Sequence, residues 1–321
     1  MNYRPFGRTG LQVSDVGLGG GGASRLGFAT GSSFEEVCNL VRRAFDLGVN
    51  YFDTADNYGT EEVIGAALAG HRDEVVISTK VYPRLEDGTL LKRSELRPAL
   101  EASLKRLNID VLDVYHLHGV SYKDYEYCET ELVPELAKLR DAGLVRFLGI
   151  SERNSSDSHH SMLQHALGDD LWDVVMVGFN LFNQSARDVV FRSTIERGVG
   201  VEVMASARNQ FSRPELFVED LNRLVDSGEV VVEGYDPRSP WGFLDSLGAS
   251  RGLVDVSYRF AAHEPGVHVV LMGTGSIAHL EENIRAFREG PLPQEVTQRL
   301  VAMFGHLANT VVVPGRVLRP E

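Results

Sequence analysis

A chain of 321 residues with 43% hydrophobic and 24% charged residues has the composition of an ordinary globular protein, and a formal net charge of −13 with no local run of Lys or Arg excludes nucleic acid as a partner. No apolar run approaches the roughly 18 residues that a membrane span needs, so no membrane partner is expected. Met1-Asn2-Tyr3-Arg4-Pro5 lacks the apolar core of a signal peptide, and two cysteines about ninety residues apart, Cys38 and Cys128, make no disulfide framework, which together read as a cytoplasmic protein.

Along the chain, short β-rich runs alternate with longer amphipathic ones. Residues 3–13 alternate around Arg8-Thr9-Gly10 and predict a small hairpin ahead of the main fold. Core strands are expected at 15–18, 50–53, 75–80, 111–118, 145–151, 174–179, 200–204 and 267–272. Helical patterns fill the intervals at 34–47, 61–68, 93–107, 130–142, 155–167, 187–197 and 249–262, with one more at 279–287. Gly48, Gly70, Gly143 and Gly198 stand where helices end. Gly17-Leu18-Gly19-Gly20-Gly21-Gly22 formally satisfies the G-x-G-x-x-G dinucleotide fingerprint, but that fingerprint requires a helix to open at the glycines. Here a loop follows, punctuated by Gly27, Thr30 and Gly31, and the helix begins only after Ser32 or Ser33, either of which can cap it. Eight strand-helix units in an unbroken chain predict an α/β fold, a closed (β/α)8 TIM barrel with an N-terminal hairpin, and such barrels routinely take this much chain as one domain, here 1–321.

Two insertions break the rhythm. Residues 122–130 extend the loop after the fourth barrel strand, and 206–248 form a much longer loop after the seventh, with an extra helix expected at 214–227. Ordered loops of that length are commonly lids or binding segments, so this one is expected to cover the barrel mouth.

In a parallel α/β protein, ligands bind beyond the carboxyl ends of the strands. Asp53 ends the second strand, Tyr58 follows in its loop, Lys80 ends the third and His118 ends the fourth, so four polar side chains from neighbouring strands converge. A phenol is a poor proton donor or acceptor at neutral pH unless a cation stabilises its phenolate, and Lys80 supplies that cation. Asn50-Tyr51-Phe52-Asp53-Thr54-Ala55-Asp56-Asn57-Tyr58-Gly59, Ser78-Thr79-Lys80, Asp113-Val114-Tyr115-His116-Leu117-His118 and Leu148-Gly149-Ile150-Ser151 resemble the signature motifs of the aldo-keto reductase family. The resemblance runs from the Gly7-Arg8-Thr9-Gly10 turn to Leu280-Glu281-Glu282-Asn283.

What the resemblance implies is NAD(P)(H)-dependent reduction of an aldehyde or ketone to an alcohol, or the reverse, for example on a sugar. Tyr58 is then the general acid, His118 orients and polarises the carbonyl, Lys80 lowers the tyrosine pKa, and Asp53 keeps the lysine charged. The substrate is a small carbonyl compound or alcohol, and the cofactor NADP(H), with NAD(H) not excluded. Cofactor contacts carried over from the family fall on Gly20, Gly21, Asp53, Ser151, Ser206, Gly273, Thr274, Gly275, Ser276, His279, Glu282 and Asn283. Here the sequence departs from the family: Ser151-Glu152 stands for the usual Ser-Asn, leaving Glu152 to accept from the nicotinamide amide. Met176 replaces a common glutamine, and Ala205 stands where an aromatic residue commonly stacks. Gly273 and His279 replace the usual Lys and Arg, so Arg208 is the candidate cation for a phosphate.

A rival reading takes His116-x-His118 as a metal site, since residues i and i+2 of a strand face the same way. Metal-dependent barrel hydrolases, however, carry the pair on the first strand with an aspartate ending the eighth; here it lies on the fourth, and Val269-Val270-Leu271-Met272-Gly273 has no acid. No metal is therefore expected, and His116 reads as a hydrogen-bonded core residue. His159-His160 reads as solvated, in a Ser-rich helix start. The alternative function of a different class is a cofactor-binding regulatory or interaction subunit with little turnover.

Overall fold

The computed structural model describes residues 1–207, 211–232, 236, 238 and 252–307, and the backbone of 311–313 and 316–318. Strands β1 (Tyr3–Pro5) and β2 (Gln12–Ser14) form the antiparallel hairpin. Eight parallel strands follow and close on themselves: β3 (Val16–Gly19), β4 (Tyr51–Asp53), β5 (Val76–Val81), β6 (Leu112–Val120), β7 (Val145–Glu152), β8 (Val174–Gly178), β9 (Gly200–Met204) and β10 (Val269–Met272), which pairs back onto β3. The fold is a (β/α)8 barrel. Both faces of each strand are covered, which is why the strand runs are nearly continuous in Val, Ile and Leu rather than alternating.

The hairpin decides which end of the barrel can work. Phe6, Leu11 and Val13 cluster with the inward-facing Tyr51, Val76, Val114, Val174 and Val269, so the N-terminal mouth is plugged with apolar side chains. Phe6 meets the Tyr51 ring edge-on at 5.5 Å. Above that layer the interior turns polar. Glu202, fully buried, accepts from Tyr51 Oη and is 3.0 Å from His116 Nε2, and Asp53 and Lys80 lie beyond it toward the open end. Among the described residues no helix is long and apolar enough to cross a membrane.

Helices Phe34–Asp46, Glu61–Ala67, Arg93–Leu107, Val133–Asp141, Ser161–Ala166, Arg192–Arg197, Leu253–Ala262 and Ile277–Arg288 pack around the barrel. The first opens with a reciprocal capping box, Ser33 to Glu36.

Three expectations change. The helix expected at 155–167 begins only at Ser161, because the two Asp157 carboxylate oxygens accept from the Ser161 and Met162 amides, each at 2.9 Å, and fix the start there. Residues 122–130 are helical rather than an extended loop: a 3-10 turn and a single α-turn lead into a π-turn at Cys128–Leu132. Pro134 follows at the start of Val133–Asp141 and brings no amide to close an ordinary turn. A further helix, Gln294–Phe304, and a strand pair, Val311–Val313 with Arg316–Leu318, lie beyond the last expected element. Within the long insertion the extra helix is Pro214–Asp226; Phe217 stacks on Phe182 at 4.9 Å, and Phe182 meets Phe304 edge-on at 5.1 Å. The insertion is thereby anchored to the loop after β8 and to the C-terminal helix. The expectation that it covers the mouth falls largely on 208–210, 233–235, 237 and 239–251, outside the described residues, as do the first three residues of the helix expected at 249–262.

Gly65 gives a test of helix packing. A Cβ there would stand 2.1 Å from the Leu107 carbonyl oxygen, a backbone atom that cannot swing aside. Helix propensity alone predicts that Gly65→Ala stabilises by about 1 kcal/mol, whereas overpacking predicts a loss of about 1–3 kcal/mol. We expect the loss, measured by urea unfolding; a variant as stable as the parent would show that the two helices are further apart.

Candidate active site

The open end of the barrel gathers the four residues singled out by their spacing. Asp53 pairs in register with Ser78, and Lys80 with His116, so consecutive strands deliver their polar ends to one level. Lys80 is fully buried; its Nζ lies 2.6 Å from Asp53 Oδ1 and donates to the Thr54 carbonyl at 2.6 Å. Burial alone would drive off the Lys80 proton, but Asp53, with Tyr58 and Glu202 adding, more than offsets it, and the pKa rises above the ordinary lysine value. The ammonium sits 5.1 Å from the centre of the Tyr58 ring. Tyr58 Oη is 3.2 Å from His118 Nε2, with the rings 5.6 Å apart and nearly perpendicular. Burial first, then the Lys80 charge, with His116 and Arg153 adding, pushes His118 far below the ordinary imidazole pKa, so the ring is neutral.

Sequence reasoning missed Tyr82, whose ring stacks on His118 at 3.9 Å and fixes its plane. Its position two residues after Lys80, on the same side of the chain, was the available signal. Gly21 matters sterically: a Cβ would lie 2.5 Å from the Tyr58 ring, so only glycine lets the β3 loop pass behind the phenol. Gly20 is closed in the same way by Thr60 Oγ1 at 2.5 Å.

Candidate cofactor residues occupy the rest of the rim. Ser151, at the end of β7, accepts from the Gly119 amide at 2.8 Å. Ser206, just past β9, is fully buried with its hydroxyl unpartnered among the described residues, and it follows Ala205, whose φ of 65° lies in the left-handed region. From β10 the chain passes through exposed Gly273 and a tight turn in which Ser276 N donates to Thr274 Oγ1 at 3.1 Å, then enters helix Ile277–Arg288 with exposed His279 and Glu282 and half-buried Asn283. Gly275 packs on the Gly27 backbone, which brings the loop after β3 against this turn. Arg208 lies outside the described residues.

Two expectations are revised. His160 is fully buried rather than solvated, with its backbone in the left-handed region at φ 57°. Its Nδ1 donates to both oxygens of buried Glu152, at 2.8 and 3.0 Å, while its Nε2 is 3.0 Å from Ser185 Oγ. Glu152 also accepts from the Gly178 amide at 2.8 Å. The carboxylate expected to face a nicotinamide amide is therefore engaged by the protein itself. His116, likewise, is bonded to Glu202 and does not share a partner with His118. Among the described residues, the side chains close enough together to share an ion are Glu129, His165 and Asp169, away from this pair.

The pattern that defines the aldo/keto reductase family matches residues 15–303. The chain belongs to that family. The uncharacterized oxidoreductase YqkF of Bacillus subtilis is 24% identical to this aldo-keto reductase over 312 residues, 94% of this chain and 95% of that one. L-galactose dehydrogenase of Arabidopsis thaliana is 36% identical over 158 residues, 47% of this chain and 48% of that enzyme. Among solved structures, the holo form of an aldo-keto reductase from Bacillus halodurans matches with a TM-score of 0.72 at 25% identity, covering 94% of this chain and 96% of that one. A thermostable aldo-keto reductase, Tm1743, in complex with the inhibitor epalrestat matches at 0.70 with 27% identity, covering 94% and 99%. Family membership places the chain among oxidoreductases that work on carbonyl compounds with a nicotinamide cofactor.

The Glu152–His160 pair has a pH signature. Burial opposes charge on His160, but Glu152, helped by Asp157, raises its pKa above the ordinary value. The folded chain thus holds that proton more tightly than the unfolded one, so the pair's contribution is complete below about pH 6.5 and is lost as pH rises through the elevated value. We expect Glu152→Gln to cost about 3–5 kcal/mol at pH 6 by leaving a buried imidazole without its carboxylate, and clearly less at pH 9. Urea unfolding at both pH values checks this; an equal gap would show that the pair is not ionic.

Proposed function

We propose that this aldo-keto reductase interconverts a carbonyl compound and its alcohol using NADP(H), with NAD(H) as second choice, and that Tyr58 carries the proton. The observation behind this reading is the Tyr58 hydroxyl, 3.2 Å from His118 Nε2 on a ring 5.1 Å from the Lys80 ammonium. A bound nicotinamide supplies the hydride. Negative charge then develops on the carbonyl oxygen, and a donor aimed at that oxygen both stabilises the charge and delivers the proton. Tyr58 is that donor. The ammonium beside it stabilises the charge left on the phenol oxygen, and Asp53 keeps the ammonium protonated in a site where burial alone would neutralise it. His118 is neutral, and its Nδ1 is buried without a partner among the described residues. A buried N–H without an acceptor is the rarer orphan, so the hydrogen bonding assigns the proton to Nε2, which donates toward Tyr58 Oη and the substrate oxygen.

The residues present suit a dinucleotide. Ser206 offers a buried hydroxyl without a partner among the described residues, and Gly273 to Ser276 open onto the N-terminus of a twelve-residue helix, whose free amides suit a phosphate. Gly20, Gly21, Ser151, His279, Glu282 and Asn283 complete the candidate set. The relative named L-galactose dehydrogenase makes sugars, and oxidation as well as reduction, part of the first substrate panel.

Tyr58→Phe should lower kcat for a simple aldehyde by about a hundredfold or more with cofactor Kd nearly unchanged, because one proton donor is removed and little volume. Lys80→Met should lose a similar amount, and the double variant should be far from additive, since both act on one proton. A Tyr58→Phe enzyme within about threefold of the parent would mean that the phenol only covers the barrel rim, and would favour a cofactor-binding subunit.

The pH profile provides a separate check. His118 is held neutral well below neutrality, so the kcat profile should show no histidine limb between pH 5 and 8. A limb near pH 6.5 that disappears in His118→Gln would mean that the imidazole titrates during catalysis.

A further inference from the structure

Beside the catalytic group lies a cleft of about 730 Å³ that the reaction described above does not use. Its walls come from the ends of β6 and β7. Ser121, Tyr122 and Lys123 follow β6 three to five residues after His118, and Arg153 follows Glu152 at the end of β7, its amide donating to the Val120 carbonyl at 3.3 Å. The Arg153 charge reaches the centre, since it helps to depress the His118 pKa and acts on Tyr82.

Arg153 and Lys123 are exposed, and neither has a side-chain hydrogen bond or ion pair among the described residues. Exposed Arg42, Lys105 and Arg140 are likewise without a side-chain partner among the described residues, but Arg153 and Lys123 line a single cleft at the ends of two adjacent barrel strands. In the cleft formed by Lys92, Arg93 and Arg97, Arg93 pairs with Glu131 and Arg97 with Glu101, and Glu135 lines the wall. Arg84, next to the Arg153 cleft, is paired with Asp124. The acid that lines the Arg153 cleft, Asp157, is held by the two amides at the start of Ser161–Ala166. Two cations without a side-chain partner among the described residues, exposed Ser156 and the exposed ring of Tyr122 therefore line one concavity at the ends of β6 and β7.

Building on the carbonyl reading, we propose that this cleft seats an oxyanion on the far end of the substrate, so that the natural substrate is a carbonyl compound bearing a carboxylate or phosphate. Arg153 takes the oxyanion, through the planar fork that suits these groups, and Lys123 adds a second charge. Arg153 and Lys123 are substrate-positioning residues: they choose which carbonyl compound is held against Tyr58, and the proton transfer does not involve them.

The test compares kcat/KM for 4-oxobutanoate, 5-oxopentanoate and 6-oxohexanoate with the alkanals of equal length, and for glyceraldehyde 3-phosphate with glyceraldehyde. At low ionic strength we expect at least one anionic member to exceed its neutral counterpart by about tenfold or more, with the ratio falling as salt is added. A phosphate preference without a carboxylate preference, or the reverse, identifies the oxyanion. Arg153→Gln should collapse the ratio, Lys123→Gln should reduce it, and Arg153→Lys should retain part of it. A neutral substrate turned over as well as every anionic one, or a ratio unaffected by Arg153→Gln, overturns the proposal while leaving the carbonyl reading intact. If no aldehyde is turned over, the carbonyl reading fails and binding decides the cleft. Calorimetry with glutarate and with inorganic phosphate should then show affinity that Arg153→Gln weakens severalfold, and no difference between parent and variant overturns the oxyanion site.

Discussion

The structure turns on a lysine ammonium held out of water. Lys80 is fully buried inside the barrel, where the cost of desolvating an isolated charge is several kcal/mol even after the surroundings relax. Asp53 at 2.6 Å and the Thr54 carbonyl meet that cost, and Ser78 Oγ donates to Asp53 at 3.2 Å to hold the acceptor in place. Buried ion pairs of this kind are weak evidence for stability, since well-packed apolar side chains often serve as well. What the pair provides is a positive charge at a fixed position beside a phenol, and the neighbouring features follow from that need. Gly21 removes the side chain that would displace the ring, Gly20 clears Thr60, and His118 is kept neutral partly by the same ammonium.

The barrel divides its length accordingly. At the hairpin end, Phe6, Leu11 and Val13 complete an apolar layer with five inward side chains. Midway, Glu202 joins Tyr51 and His116, and its charge also acts on Lys80. A carboxylate in that layer keeps the interior field negative beneath the ammonium, which favours its charged form from a second direction. It also gives His116 a partner and thereby explains how a His-x-His pair can sit on a barrel strand while its members serve different neighbours.

How far the sequence was legible depended on how local the cause was. Strand ends, the Ser33 cap and the order Asp53, Tyr58, Lys80, His118 are read from neighbours a few residues apart, and the barrel brings these four together. Features that depend on partners from elsewhere were missed. The Glu152–His160 pair needs His160 to adopt a left-handed backbone conformation, an uncommon choice that composition does not announce, and a Ser-rich neighbourhood suggested solvent instead. The late start of Ser161–Ala166 rests on Asp157, one of several polar residues able to cap there. Phe217 in the long insertion finds Phe182, which in turn meets Phe304, on elements far away in the chain, so its anchoring has no local signature. Glu202 did leave one, a lone acid between Val201 and Val203 in an apolar strand.

The overall charge of −13 would by itself argue against anionic ligands, yet the family cofactor is anionic and the cleft beside His118 carries two cations. Range resolves the conflict. At ordinary ionic strength exposed charges more than about 10 Å apart are largely screened, so acids spread over the outer helices contribute little at the barrel mouth. What counts there is the set of charges within reach, and whether each already has a partner. Lys80 is matched by Asp53 and adds almost no net charge, whereas Arg153 and Lys123 have no ion pair among the described residues. An acidic protein can in this way carry a cleft with two basic side chains, the local charge being set by the residues that line it rather than by composition.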